Sequence, residues 1–217
     1  MTGERQFTMQ EARSTSQKVF SHAIEANFAK ELMEEADSVR EKARLNSVSM
    51  KHSGDWLFAA PVRALGLHLR PLEFITSVKY RLGMEVYQTE GPFKSCNNPS
   101  DTLGDHAVGC GSDGERIWRH NIIRDAIFMT AKSASLSPAK EENSLLPGSA
   151  EKPADVYIPG WSNGCDAAFD VSVVSPLQTQ LINKAADEIG SAAIKRFNEK
   201  KNKYNTACEE DGMPNLN

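Results

Sequence analysis

Two stretches, Pro153-Ala154-Asp155-Val156-Tyr157-Ile158-Pro159 and Ala167-Ala168-Phe169-Asp170-Val171-Ser172-Val173-Val174, decide the fold class of this chain. Each is a run of β-branched, aromatic and small apolar residues closed by turn formers, Pro159 for the first and Ser175-Pro176 for the second. Gly160-Trp161-Ser162-Asn163-Gly164 lies between them and suits a chain reversal, so a hairpin is the economical reading.

Outward from the hairpin the pattern changes to helices and loops. Pro138 to Pro153 reads as a linker of polar and turn residues around Leu145-Leu146, and Arg116 to Ser135 as a helix that carries Ile117, Ile123, Ile127 and Ala131 inward. Gly, Pro, Asn, Ser and Asp crowd positions 91–114, which marks a module built from loops. Pro71 opens a helix that runs to Leu82 and stops at Gly83. Between Trp56 and Leu69 an apolar segment is interrupted by Pro61 and Gly66. From Gln10 to about Ser47 there is neither Gly nor Pro, and Val19, Ile24, Phe28, Leu32 and Ala36 fall near helical spacing. This predicts one or two amphipathic helices that pack on the rest of the chain or on a partner domain. Downstream, Leu177 to Tyr204 reads as helix with a break at Gly190-Ser191.

A chain of 217 residues, 40% of them apolar, can bury one sizeable core with a small satellite module. Its formal charge of −4 argues against coating nucleic acid by bulk electrostatics, which takes many Lys and Arg on phosphates, and leaves room only for a local basic face. No apolar run approaches the roughly 20 residues that span a bilayer. Met1-Thr2-Gly3-Glu4-Arg5 lacks the layout of a signal peptide, so the expectation is an intracellular protein with no membrane partner. In that compartment the four cysteines, Cys96, Cys110, Cys165 and Cys208, point to metal binding or burial rather than disulfides.

Two constellations could carry chemistry. Asp170 follows Asp155 by 15 residues and sits among Phe169, Val171, Val173 and Val174, where a charge is costly unless it is paired, faces solvent or binds a cation. Carboxylates on adjacent strands can hold Mg²⁺, which takes oxygen ligands and keeps several waters. Spacing alone favours the ordinary alternative, a turn-end Asp155 and a solvent-facing Asp170. The second constellation is Cys96, Gly104-Asp105-His106 and Cys110, with Arg119-His120-Asn121 beyond, whose thiols and imidazoles suit tetrahedral Zn²⁺. Here the alternative is a buried Cys110 and a surface His106. His22, His52 and His68 read as surface or satisfied core groups, and Cys165 as incidental. Trp56, Trp118 and Trp161 are isolated from basic residues, which gives little support to a base-stacking platform.

Lys152-Pro153-Ala154-Asp155-Val156 and Asp170-Val171-Ser172-Val173 resemble the acidic core of the PD-(D/E)XK nuclease superfamily, in the variant carried by site-specific non-LTR retrotransposons. The segment from Cys96 through Asp105-His106-Ala107-Val108-Gly109-Cys110 to Arg119-His120-Asn121 resembles the CCHC-like zinc knuckle and following helix that precede that restriction-like endonuclease. Together these motifs cover about half the chain, residues 96–204, and reach back more loosely to Ala43-Arg44-Leu45 and Ser53-Gly54-Asp55-Trp56-Leu57. Two departures stand out. Ser172 occupies the position of the superfamily's usual lysine, and the retroelement variant instead draws one from a later helix, as Lys200-Lys201-Asn202-Lys203-Tyr204 resembles. Only Cys96 precedes the histidine where the family has two cysteines, so His120 or Asp105 serves as fourth ligand or the site has lost one.

The resemblance implies an α+β fold, with a small mixed β-sheet flanked by helices, and four regions. These are a helical region over 1–90, a zinc-knuckle-like module over 91–120, a restriction-like endonuclease core over 121–207 and a disordered tail over 208–217. It further implies nicking of double-stranded DNA to prime reverse transcription in the nucleus. Asp155 and Asp170 would hold Mg²⁺, with Glu141 or its neighbour Glu142 as an upstream acid and Lys200 or Lys203 beside the phosphate. Cys96, His106, Cys110 and His120 would hold Zn²⁺. No Tyr-x-Asp-Asp polymerase core is present, so the reverse transcriptase would lie on a longer or separate polypeptide or has been lost, and with its acidic, Pro/Asn-rich tail from Cys208 to Asn217 the sequence reads as a fragment or a truncated genomic copy. The alternative function is a degenerate binding remnant without cleavage. Helix geometry adds one distinction, since at about 100° per residue Ala193, Phe197, Lys200 and Tyr204 share a stripe, Lys203 lies at its edge and Lys195 opposite.

Overall fold

The computed structural model describes residues 17–63, 66, 68–141 and 154–210, without the side chains of 113 and 203–210. The linker positions 142–153, Glu142 among them, the Lys203 and Cys208 side chains and the tail residues 211–217 lie outside that description. What is described is a mixture of helices and small antiparallel sheets, an α+β architecture.

The described residues open with helix α1 (Gln17–Glu35) and helix α2 (Val39–Val48). Ser38 separates them by adopting an extended backbone and accepting the Glu41 N–H on its hydroxyl at 3.1 Å, which starts α2. The expected stripe does not form on α1: Val19, Ile24, Phe28 and Leu32 are exposed, and α1 buries no residue. In α2, by contrast, Ala43, Leu45 and Asn46 are buried. A short 3₁₀ turn (Asp55–Phe58) follows, and then helix α3 (Pro71–Arg81). Pro71 suits its first turn, the Glu73 carboxylate accepts the Arg70 N–H at 2.7 Å, and Gly83 ends it with a left-handed φ of 71°.

The loop module contains two-residue strands β1 (Gly91–Pro92) and β2 (Pro99–Ser100) and the short helix α4 (Asp105–Gly109). Helix α5 (Glu115–Ser133) then leads to β3 (Ala139–Lys140), β4 (Val156–Ser162) and β5 (Cys165–Phe169), and the described residues close with α6 (Ile182–Asp187) and α7 (Ser191–Glu210). Of the residues expected to face inward on α5, Ala131 is buried and Ile127 packs against the core, whereas Ile117 and Ile123 are exposed. Among the described residues its core contacts with β4 come from Ile127, Phe128 and Ala131 in its later turns.

Strands β3, β4 and β5 form one sheet in that order, antiparallel at both joins, and β1 pairs antiparallel with β2. The mixed sheet expected from the sequence is therefore corrected to antiparallel pairing among the described residues. Joining β4 to β5 by a short turn leaves no room for the long crossover that parallel pairing needs. Asn163 and Gly164, with φ of 51° and 79°, make that turn, and a register irregularity between Ile158 and Ser162 absorbs Gly160. Val156 and Ile158 point into the core against Ala131, with Ile127, Phe128, Leu136 and Phe169 around them. Complete burial of each is worth about 1.5–3 kcal/mol. Strand β5 stops at Phe169, short of the Val174 that the sequence pattern suggested. Because Val156 pairs with Phe169, Asp155 and Asp170 flank the same end of the hairpin.

A second set of buried contacts joins α2 to α6. Asn46 reaches across with its amide, which donates to the carbonyls of Ala185 at 2.9 Å and Ala186 at 2.8 Å. Beyond α6 the chain turns at Gly190, whose φ of 76° suits glycine, and starts α7 at the break anticipated from the sequence.

Candidate functional site

The carboxylate site is assembled where the hairpin ends. Asp155 is fixed by its own backbone, since its N–H donates to the Phe169 carbonyl at 2.8 Å and its carbonyl accepts from the Glu141 N–H at 3.1 Å. Its Oδ2 accepts the Val171 N–H at 2.6 Å and faces His120 Nε2 at 3.0 Å. Asp170, one residue past β5, is bonded through Oδ1 to the Lys200 ammonium, which also donates to the Val171 carbonyl at 2.8 Å. The main chain of Val171 thus bridges the two acids, with its N–H on Asp155 and its carbonyl on Lys200. Nothing in the sequence marks Val171 for this part.

Asp170 carries the most telling electrostatics. Burial pushes its carboxyl above the usual range; the Lys200 ammonium opposes that shift, and the nearby Asp155 adds to it. Its Oδ2 is buried with no hydrogen-bond partner among the described residues. A buried carboxylate oxygen in that position is costly unless something binds it. A hollow of about 200 Å³ opens at this point, lined by Asp170, Ser172, Phe197, Lys200 and Lys201 among others.

Lys200 is half-buried at the hairpin end and is held there by its own bonds to Asp170 and the Val171 carbonyl, whereas Ala193 and Phe197, which share its stripe on α7, are exposed. Lys195 lines a separate cleft with Arg116. Glu141, the expected upstream acid, has a left-handed φ of 48° and its carboxylate bonded to Arg124, while its backbone abuts Asp155. Arg124 in turn binds Asp125 at 3.0 Å, and Lys140 closes the group on Asp125 at 2.9 Å.

The second centre lies in the loop module. Cys96 Sγ, a His106 ring nitrogen and Cys110 Sγ all lie within 4.8 Å of one another, a group that could hold a metal ion. Ligand atoms about 2.0–2.3 Å from one tetrahedral ion lie roughly 3.3–3.8 Å apart, so a small contraction suffices. Cys96 Sγ is 3.1 Å from His106 Nε2, and Cys110 Sγ is 2.9 Å from Ser112 Oγ. The hydroxyl and N–H of Ser112, then the Cys96 thiol, hold the Cys110 thiol below its usual pKa, which favours the thiolate that binds metals.

Local structure holds these three side chains in place. Asp101 accepts the N–H groups of Asp105 at 3.0 Å and His106 at 2.7 Å and so starts α4. Burial would raise the Asp101 carboxyl, but those N–H groups outweigh it and keep it below its ordinary value. The Phe93 ring meets the His106 ring edge-on at 5.2 Å. From α5, Arg119 donates to the carbonyls of Val108 and Cys110 and ties the loop to the helix.

Neither residue expected as a fourth ligand joins this centre. His120 is turned to Asp155, since on α5 it stands next to Arg119 and projects towards the hairpin end. Asp105 is held by the guanidinium of Arg40 on α2, with one contact of 2.8 Å. Arg119-His120 therefore links the two centres through successive residues. One side chain fastens the thiol loop and the other braces a carboxylate. The Arg119-His120-Asn121 motif was visible in the sequence, but its division between two centres was not.

No protein-family model, no curated protein sequence and no solved structure matches this chain.

Proposed function

We propose that this protein is a divalent-metal-dependent endonuclease of DNA, built on a restriction-endonuclease-like core and serving a non-LTR retroelement in the nucleus, with a reverse transcriptase on a longer or separate polypeptide as its partner. The observation that carries the reading is the meeting of Asp170 and Lys200, residues far apart in sequence, next to Asp155. An acid and an ammonium lining a hollow, with a second acid beside them, are components a phosphodiesterase needs.

The residues fit a catalytic Mg²⁺. Asp170 Oδ2 is a buried acceptor in want of a partner, and Asp155 supplies a second hard oxygen donor beside it. Such an ion, when bound, polarises a phosphoryl oxygen and acidifies water. The chain's own groups do the rest. His120 and the Val171 N–H fix the Asp155 carboxylate, and Lys200 stabilises negative charge that develops on the phosphate. The Cys96, His106 and Cys110 group would hold Zn²⁺ as a structural ion.

The experiment is a supercoiled-plasmid nicking assay with Mg²⁺ against EDTA. Nicking that needs the metal supports the reading, and its absence at any metal concentration sinks it. One observation favours a second reading, a non-catalytic binding remnant: among the described residues the thiol centre has three ligands rather than four. DNA binding without nicking would select it.

A further inference from the structure

A polar cleft adjoins the Asp170–Lys200 hollow, and Val174 and Arg196 belong to the walls of both. Its volume is about 380 Å³, and Arg116, Gln178, Gln180, Lys195 and Glu199 line it. Arg196 is paired with Glu199 at 2.9 Å. The side chains of Arg116 and Lys195 have no hydrogen-bond or ion-pair partner among the described residues. Further on, a cavity of about 570 Å³ shares Arg116, Val173, Val174 and Gln178 with the cleft. Trp56, Leu69, Tyr80, Val108 and Leu177 give that cavity an apolar and partly aromatic wall, while Arg44, Arg81 and Arg119 reach its edge.

This combination narrows the occupant. The chain carries a net charge of −4, so two unpartnered cations lining one cleft are a local exception and suit an anionic ligand. A stacked duplex keeps its bases inside and has no group that enters an apolar cavity. An unpaired strand offers phosphates and bases in alternation, and bases stack on aromatic walls whatever their identity. We propose that a single nucleic-acid strand lies in this cleft, with phosphates on Arg116 and Lys195 and one unstacked base in the cavity walled by Trp56 and Tyr80. The proposal rests on the nuclease reading for the direction of the strand, which leads to the Asp170–Lys200 hollow. The strand being cut is thus held away from its complement next to the scissile phosphate, as in enzymes that extrude a base.

The full chain is titrated in EDTA with a labelled single-stranded oligonucleotide and with the matching duplex, at several salt concentrations. The single strand is expected to bind about tenfold more tightly than the duplex. Replacing both cations, by Arg116→Ala with Lys195→Ala, should lower the slope of log affinity against log salt by about 1.4 for the single strand. Trp56→Ala should remove the preference for the single strand and Trp56→Phe should keep it. Equal binding of strand and duplex, or an unchanged slope in the double variant, would overturn the proposal. A chain that binds in this way yet never nicks with Mg²⁺ sinks the nuclease reading alone. One that nicks while the double variant binds as before sinks the strand track alone.

Discussion

The thiol centre and the carboxylate site are built in opposite ways. Cys96, His106 and Cys110 come from one short stretch of loop, so their spacing in the sequence was itself the signal. Asp155, Asp170 and Lys200 come from a bend before β4, an exit from β5 and the middle of α7, and no spacing rule connects them. Yet the local centre lacks a fourth ligand among the described residues, while the distant one brings its charged groups together. Local motifs advertise which residue types are present. Whether a site is complete depends on what the tertiary fold delivers.

The sharpest way to break this comparison is to neutralise the acids. Asp155→Asn and Asp170→Asn each keep the side-chain shape and remove a charge, and each is expected to cut plasmid nicking at least about 100-fold. Circular dichroism should stay that of the parent chain, because Val156 and Ile158, not the acids, fill the core. Nicking at the parental rate in both variants would place the chemistry elsewhere.

Next in size is the lysine. Lys200→Ala should lower the maximal nicking rate by roughly 10–100-fold. Lys195→Ala should leave that rate unchanged and raise only the DNA concentration needed to reach half of it, since Lys195 lines the neighbouring cleft. A uniform loss across both would indicate general phosphate attraction and erase the distinction between the hollow and the cleft.

A smaller effect on nicking is expected from the thiol centre. Purified protein should hold about one equivalent of zinc, as the one group of three ligands among the described residues implies. Cys110→Ala should release it and lower the Tm, because metal binding to a loop module contributes directly to its folding. Nicking should fall only indirectly, through Arg119, which fastens the loop beside His120. Well under half an equivalent of zinc, with no change on Cys110→Ala, would remove the metal from this centre.

How much of this was legible beforehand differs element by element. The hairpin, the helix from Pro71 and the break at Gly190 were readable because turn formers and β-branched runs act locally. The end of β5 was not: Val171 to Val174 is β-forming, but the Val171 N–H is drawn to Asp155 instead of continuing the ladder. Helical periodicity on α5 misplaced Ile117 and Ile123, since periodicity marks a face and not what covers it. Likewise the apolar residues of α1 do not make one stripe, since Val19 stands about 140° round the helix from Ile24, and the structure leaves them exposed. His120 was read by residue type, as a metal-ligand candidate, whereas its neighbours in space make it a brace for Asp155.

The smallest expected effect on nicking tests how the lysine is held in place from afar. Ala185 and Ala186 lie in the last turn of α6, where carbonyls have no partner within the helix. The Asn46 amide, buried on α2, satisfies both. Three residues beyond α6 the chain turns at Gly190 and enters the helix that carries Lys200. Asn46→Ala would leave two acceptors bare next to a void, at a cost of about 1–3 kcal/mol. At roughly 2–4 °C per kcal/mol for a chain of this size, a clear drop in Tm follows. Asn46→Asp is the sharper variant, since it keeps the volume but sets a carboxylate against two carbonyls, and it should be the less stable of the two. At temperatures well below the Tm, nicking by Asn46→Ala should remain within a few-fold of the parent, because Asp170 and the Val171 carbonyl still hold Lys200. If nicking instead fell as far as in Lys200→Ala with the Tm unchanged, α2 would be acting on the chemistry itself, and the division between a scaffold and a site would have to be redrawn.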